Sequence, residues 1–345
     1  MWTEAPDVIT RLMLDLLAPA GPRAKLTVLI FHRVLAEPDP LLPQEPDVEG
    51  FRAQMRWVAA WFNVLALQEA VERLVQRSLP ARALAITFDD GYGDNRRLAF
   101  PVLRELGLPA TFFIASGFIG TGMMWNDMVI ETIRSLAGSR IDLRAAGLGD
   151  FPIDSPENKR RTIAAVLAAL KYLPAQQRSD AVDRIAERSP IPLRKDLMMS
   201  ETEVRELVAG GMSIGAHTVT HPILARLPER EARREIAEGK SILEGIVGEP
   251  VTLFAYPNGK PGRDYGAQHV AMIKSLGFHA AVSTAWGAAR AGCDICQIPR
   301  FTPWDTAQWK YGLRLLRNLT GPAAETVISD GDLESGEKAP HALGG

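Results

Sequence analysis

Apolar residues occur along the chain in short continuous runs, separated by longer segments in which they recur every three or four positions. The continuous runs are typical of buried strands and lie at residues 25–33, 62–66, 83–88, 110–115, 212–216, 252–255, 280–283 and 297–301. The segments between them are typical of amphipathic helices, the clearest being 50–62, 67–77, 95–106, 200–210, 229–247 and 266–276. Strands that alternate with helices pair in parallel through crossover connections. About seven or eight strands in this rhythm predict a single α/β barrel.

Three regions depart from this rhythm. Residues 120–195 contain long helical stretches, 158–172 and 174–188, and no convincing strand, so we expect a helical insertion that covers a site. Residues 1–24 are predicted to form an amphipathic N-terminal helix before a barrel domain of residues 25–320. The polar, acidic residues 321–345 are predicted to be a disordered tail.

Composition and charge exclude several classes of protein. With 46% apolar residues, 23% charged residues and a net charge of −2, the chain of 345 residues has a full core and no electrostatic footprint for nucleic acid. The N-terminus has neither a basic segment before an apolar core nor a spanning stretch, so we expect a cytoplasmic protein, with the membrane periphery left open. Cys293 and Cys296 are predicted to be incidental thiols, and the oligomeric state stays open.

Two adjacent carboxylates, Asp89 and Asp90, end the buried run 83–88 and are followed by glycine. Neighbouring carboxylates repel each other and lose water on burial, so we expect a cation or a shared proton beside them. In parallel barrels the carboxyl ends of the strands meet at one face. Other polar residues follow strand ends and are expected at the same face: His32, His217, Tyr256 and Arg300.

His217 and His221 are four residues apart, a spacing that places both imidazoles on one face of a helical turn. Two histidines and one carboxylate form a facial ligand set that leaves positions open on a catalytic metal. Alone, the spacing is a weak signal, because two polar histidines in a loop would look the same. Coupled to Asp89 and Asp90, it indicates a metal site.

The runs 87–91 (TFDDG), 217–222 (HTVTHP) and 254–259 (FAYPNG) resemble, in this order, the motifs of the polysaccharide deacetylase family, the carbohydrate esterases with a NodB-like domain. The resemblance covers residues from about 25 to about 303 and implies a distorted (β/α)7-type barrel. It implies that Asp90, His217 and His221 hold a divalent metal, with zinc first and cobalt or nickel as alternatives. It further implies that Asp89 acts as general base on a metal-bound water, and that the backbone N–H of Asn258 faces the oxyanion. These roles would remove N-acetyl groups from amino sugars such as N-acetylglucosamine.

The sequence departs from the commoner family pattern at two places. Ala255 stands where an arginine usually steadies the base, and the late Leu-x-His motif of the general acid is absent. We predict that Arg300 replaces the arginine beside Asp89, a surface salt bridge being the alternative. The run 31–34 resembles the first-strand motif of the exopolysaccharide-associated branch, which implies His32 as general acid; a core histidine bonded to the backbone is the alternative.

The substrate contacts and the function leave further alternatives open. Trp125 and Tyr256 are predicted to form an aromatic floor for a sugar ring of an N-acetylated glycan, although such residues also serve as core, and Asp94 is predicted to be a helix N-cap. One alternative function is hydrolysis of a non-sugar C–N bond, which needs a small closed pocket. The other is a metal-binding or sugar-binding module without catalysis, which has no use for both a base and an acid.

Overall fold

The computed structural model describes residues 4–302 and 304–328. The strands in chain order are β1 Lys25–Phe31, β2 Asn63–Val64, β3 Ala83–Phe88, β4 Thr111–Ile114, β5 Arg140–Asp142, β6 Asp150–Pro152, β7 Ser213–Ala216, β8 Leu253–Ala255, β9 Ala280–Val282 and β10 Ala289–Arg290. The α-helices are α1 Glu4–Leu17, α2 Val48–Trp61, α3 Leu67–Val75, α4 Phe100–Glu105, α5 Trp125–Ser135, α6 Pro156–Leu170, α7 Ala175–Ala186, α8 Glu201–Ala209, α9 Glu229–Val247, α10 Ala267–Ser275 and α11 Gln308–Thr320. A π-helical turn, Asn95–Ala99, precedes α4.

The central sheet is a curled, mostly parallel barrel, as the alternation of strands and helices predicts. β1, β3, β4, β7, β8 and β9 are neighbours in this order and run parallel. β2 lies parallel to the start of β3, and β10 lies antiparallel to β1. Every residue of β3 is buried, because helices cover one face of a parallel sheet and side chains fill the other. Asp89 and Asp90, which directly follow β3, therefore lie next to the core and are themselves buried.

The barrel closes through an irregular segment that the sequence pattern predicts to be a strand. The prediction of a regular strand at 297–301 is wrong, because this segment makes only single bridges to its neighbours. The N–H of Ile298 donates to β9 (2.9 Å) and the N–H of Phe301 donates to β1 (2.8 Å). Between them lies Pro299, which has no N–H to donate and so interrupts a ladder. The segment nevertheless joins the two ends of the parallel sheet, and it carries Arg300.

The insertion is a small unit with its own apolar core. Its expected helices are present as α6 and α7, but the prediction of no strand is wrong, since β5 and β6 pair antiparallel. Five of the side chains that fill its core are Val129, Ile133, Val166, Leu170 and Ile185, all fully buried. Because this cluster is separate from the barrel core, the insertion packs as a unit on the barrel.

Both ends of the described chain pack against the barrel. In α1, Leu14 is buried in the main core, and Asp15 forms an ion pair with Arg82. Near the other end, the backbone of Val327 makes two hydrogen bonds with the side chain of Gln297, so the predicted disordered tail does not begin at residue 321. Residues 329–345 of that tail lie outside the described residues. Within the described ranges, no helix combines the length and apolarity needed to cross a bilayer.

Asp127 connects the insertion to the residues that follow β3. Its carboxylate accepts hydrogen bonds from the N–H of Met124 (3.0 Å) and from the hydroxyl of Tyr92 (3.1 Å). Burial is the leading cause that raises the pKa of Asp127 to about 7. Between about pH 4 and pH 7, the carboxyl of Asp127 is therefore protonated in the folded protein, whereas in the unfolded chain, with a pKa near 3.8, it is ionised.

Protonation of Asp127 should make stability depend on pH. The contribution of this carboxyl to the free energy of unfolding is fully present below about pH 4, and it is lost as the pH rises toward 7. We expect Asp127→Asn to show a smaller fall in unfolding free energy between pH 4.5 and 7.5 than the wild type. Urea denaturation across this range measures it, with the exposed Asp180→Asn on α7 as the matched control. Equal pH slopes for wild type and Asp127→Asn would contradict the assignment.

Candidate active site

Asp90, His217 and His221 meet at the carboxyl end of the barrel. One potential ligand atom of each lies within 4.8 Å of the others. The Nε2 atoms of His217 and His221 are 3.5 Å and 3.4 Å from Oδ1 of Asp90, longer than a good N–H···O hydrogen bond. That buried oxygen has no hydrogen-bond partner within the described part of the chain. A buried carboxylate oxygen without a donor, facing two imidazole nitrogens, fits the divalent metal that the family pattern implies.

A backbone hydrogen bond sets the orientation of His217. Its Nδ1 is 2.7 Å from the carbonyl oxygen of Ala255, and because a carbonyl only accepts, the proton lies on Nδ1. The lone pair of Nε2 is then directed toward Asp90. Second contacts of this kind fix the tautomer and ring orientation of metal-ligating histidines.

The loops of the site are held in a costly backbone conformation. Four of the six non-glycine residues with positive φ in the described ranges lie here: Asp90 (75°), Thr218 (64°), His221 (55°) and Asn258 (60°). Each such residue costs on the order of 1 kcal/mol, so it persists only where the surroundings enforce it. The concentration of this strain at one edge of the barrel indicates that the loops serve to place side chains.

Glu235, on α9, holds the loop between the two histidines. Its Oε2 accepts from the N–H groups of Val219 (3.0 Å) and Thr220 (2.8 Å), and its Oε1 accepts from the hydroxyl of Thr220 (2.8 Å). One turn later, a Cβ on Gly239 would lie 2.8 Å from the carbonyl carbon of Thr218, so only glycine lets the helix approach this closely. Sequence reasoning missed Glu235, because it looks like any other charged residue of α9. The available signal was Gly239, since a glycine inside a helix can mark a close contact with another segment.

Removing the Glu235 carboxylate should loosen the histidine loop and weaken metal binding. We expect Glu235→Ala to lower zinc affinity by about 10- to 100-fold, the usual range for contacts that orient ligands. Competition with a chromophoric chelator measures the affinity. The control is Glu238→Ala, on the exposed side of the same helix. Equal zinc affinities for the two variants would rule out the proposed role of Glu235.

Asp89 forms a buried, bidentate ion pair with Arg300. Nη1 and Nη2 of Arg300 each donate to one oxygen of Asp89 at 2.6 Å, and Nε donates to the carbonyl of Ser283 (3.0 Å). The two side chains are 0% and 4% exposed, which excludes the alternative of a surface salt bridge. Burial, the largest single cause, raises the pKa of Asp89, but the charge and hydrogen bonds of Arg300, together with the charge of His217, outweigh it and lower the pKa below its ordinary value. Losing one partner of such a pair typically costs about 3–5 kcal/mol.

A central pocket of about 350 Å³ contains most of the predicted residues. Besides Asp89, Asp90 and the two histidines of the metal set, its walls include His32, Trp125 and Asn258. For the N–H of Asn258, no acceptor is found among the described residues. The face of Trp125 is covered by the guanidinium of Arg178, 5.2 Å from the ring centroid. Trp125 therefore lines the pocket without offering an open ring face on that side.

Tyr256 does not take part in the pocket, and its prediction as a sugar platform is wrong. The side chain is 1% exposed and stacks on Tyr265 with the ring centroids 3.8 Å apart. Its hydroxyl donates to the carbonyl of Cys296 (3.0 Å). An aromatic residue after a strand can face the core, and here it does. Burial also raises the pKa of the Cys296 thiol to about 11, so little of it is thiolate at neutral pH.

His32 lies just past β1 and is half-buried. It lines the central pocket, whereas the alternative, a core histidine, would be fully buried. Its carbonyl accepts from the side-chain amide of Asn95 (2.8 Å). The half-buried Glu45 is near enough for its charge to interact with His32, a partner that sequence reasoning missed. Asp94 occupies the predicted N-cap position, before the π-helical turn, but its side chain makes no capping hydrogen bond. Its carboxylate instead accepts from Nε of Arg33 (2.8 Å) and so holds the segment after β1.

The fold and the site define the class as an α/β barrel protein with a candidate Asp-His-His metal site, and comparison with known proteins shows the family. The family model for polysaccharide deacetylases matches residues 76–281. The chain belongs to the polysaccharide deacetylase family.

Individual relatives agree with this assignment. The chain is 22% identical over 268 residues to the "Putative polysaccharide deacetylase YxkH" of Bacillus subtilis (strain 168), covering 77% of this chain and 67% of that protein. Among solved structures, it is similar to the Streptococcus pyogenes deacetylase PplD in complex with acetate (TM-score 0.57, 17% identity, 87% of this chain and 100% of that chain). It is also similar to IcaB from Ammonifex degensii (TM-score 0.55, 20% identity, 85% and 98%). At these identities the two structures support the fold alone.

Proposed function

We propose that the protein is a metal-dependent hydrolase that removes N-acetyl groups from an amino sugar of the N-acetylglucosamine type, in an oligosaccharide or exopolysaccharide. The observation that carries the proposal is the partnerless buried oxygen of Asp90 between His217 and His221, directly beside the Asp89–Arg300 pair. Membership of the family supports an acetylated glycan as substrate. We also place the protein in the exopolysaccharide-associated branch, because His32 follows the first barrel strand.

Asp90, His217 and His221 would hold the metal. A bound divalent ion such as zinc supplies a Lewis acid that acidifies water and polarises an amide carbonyl. The chain itself supplies orientation. The carbonyl of Ala255 directs His217, and Glu235 holds the loop that presents His221.

Asp89 is the proposed general base. Its Oδ2 is 3.9 Å from Nε2 of His217, which places the carboxylate at the edge of the metal-ligand set. Arg300 keeps it ionised and fixed in direction, so it is ready to accept a proton from the attacking water. As the water oxygen bonds to the acetyl carbon, negative charge grows on the carbonyl oxygen, where the N–H of Asn258 is the proposed donor.

His32 is the proposed general acid. When the tetrahedral intermediate collapses, the bond between carbon and nitrogen breaks and the nitrogen takes a proton. His32 lines the same pocket as Asp89 and can supply that proton to the leaving amine. The products are acetate and the free amino sugar. Base and acid thus come from different strands, β3 and β1, which are hydrogen-bonded neighbours.

A second candidate is hydrolysis of a short non-sugar amide. The insertion contributes Trp125 and Arg178 to the wall of the central pocket, whose volume is at the small end of the range for ligand sites. A covered pocket favours a short substrate over the interior of a long polymer. A panel of N-acetylated sugars and small amides distinguishes the two candidates.

Loss of the base or the acid should affect turnover more than metal binding. We expect Asp89→Asn and His32→Gln each to lower acetate release from N-acetylated oligosaccharides by at least about 100-fold, the lower end for general acid–base catalysis. The control is His279→Gln, an exposed histidine away from the pocket. Undiminished release by Asp89→Asn would sink the base assignment, and the same result for His32→Gln would sink the acid assignment.

A further inference from the structure

Two cations of the insertion line the central pocket without a carboxylate partner. Lys171 follows the end of α6, Arg178 lies on α7, and both share the pocket with Asp90 and the two histidines. Among the described residues, neither has an acidic oxygen within 4.0 Å. The guanidinium of Arg178 is half-buried over Trp125, and burial lowers its pKa. A half-buried cation with no acidic oxygen within 4.0 Å attracts an anion more strongly than a cation in open water does.

The positive charge continues outside the pocket. Lys171 and Arg178 also line an adjoining hollow of about 240 Å³, together with Arg226 from the loop after His221. Arg226 and Arg263 both lie over the ring of Tyr172, at 5.5 Å and 4.7 Å from its centroid.

The cations act on each other as well. After burial, which is the largest cause, the charges of Lys260 and Arg263 help to lower the pKa of Lys171. Asp264 attracts Lys171, but it is buried and one of its oxygens already accepts the N–H of Lys260 (3.1 Å). Positive charges from the insertion and from two loops of the barrel therefore lie close together around Lys171 and Tyr172.

These cations form a cluster of Lys171, Arg178, Arg226 and Arg263. Solvation at the surface accounts for Arg226 and Arg263 but not for Lys171 and Arg178. Arg226 and Arg263 are exposed and gain from their contact with Tyr172. Lys171 and Arg178 face the enclosed space in which the substrate must lie. The whole chain carries a net charge of −2, so the cluster is a local arrangement and does not follow from composition. Guanidinium and ammonium groups in this setting bind phosphoryl or carboxylate oxygens through charge-assisted hydrogen bonds.

We propose that the amino sugar bound in the central pocket carries an anionic group, a phosphoryl or a carboxylate, which Lys171 and Arg178 bind directly and which Arg226 attracts from the adjoining hollow. This inference rests on the proposed function, because it names the substrate class of the same site. It replaces the aromatic floor predicted from sequence with an electrostatic one: Trp125 supports Arg178, and Tyr256 is in the core.

Binding of the deacetylated products tests the anion subsite without requiring turnover. Zinc-loaded protein is titrated calorimetrically with glucosamine, glucosamine 1-phosphate and a glucosamine–glucuronic acid disaccharide. We expect at least one anionic probe to bind about tenfold or more tightly than glucosamine, with a preference that weakens as salt rises. The phosphate and the uronic acid distinguish the two sources of the anion.

Variants identify the residues responsible. Arg178→Gln should abolish the preference for the anionic probe, whereas Arg184→Gln, an exposed arginine of the same helix outside the pocket, should keep it. If Arg178→Gln does not fold, Lys171→Gln must weaken the preference by several-fold. Equal affinity for all three probes, or an anion preference that survives both substitutions, overturns the proposal.

The outcomes separate this inference from the proposed function. Anion-selective binding without acetate release from any N-acetylated substrate would support the subsite and reject the deacetylase activity. Acetate release with equal kcat/KM from neutral and phosphorylated N-acetylglucosamine, unchanged in Arg178→Gln, would support the activity and reject the subsite.

Discussion

The burial of two adjacent carboxylates at the end of β3 is the constraint on which the site depends. Each needs its own positive partner, because two unpaired charges this close would not be tolerated in the core. Asp89 takes Arg300, which the irregular segment between β9 and β1 supplies. Asp90 faces the two histidines and is left with an oxygen that a cation would satisfy. The segment that closes the barrel therefore also carries the arginine that pairs with Asp89, the proposed base.

The insertion adds what the barrel lacks, which is a wall over the pocket. It is tied to the residues after β3 through Asp127 and Tyr92, so its position is coupled to the acids. Its helices bring Trp125 and Arg178 to the same space as the metal-ligand set. The barrel thus supplies the residues of the proposed hydrolytic site, and the insertion supplies part of the wall and charge of its pocket.

Much of the fold follows from sequence, because continuous apolar runs and amphipathic helices are local signals. The paired acids and the histidine spacing are also local, so they point directly to the candidate metal site. What sequence could not supply are contacts made by folding. Tyr256 follows a strand yet turns into the core, and Pro299 breaks a strand that its apolar neighbours predict. Glu235 and Arg178 lie on ordinary-looking helices, and only the packing of those helices shows their partners.

The central claim is that a metal held by Asp90, His217 and His221 enables this chain to release acetate from an N-acetylated amino sugar. The most direct measurement is acetate release from N-acetylglucosamine oligosaccharides and N-acetylglucosamine 1-phosphate by protein that is zinc-loaded, chelator-treated, or reloaded with zinc or cobalt. The account predicts activity that chelation abolishes and either metal restores. Full activity after complete removal of metal would contradict it.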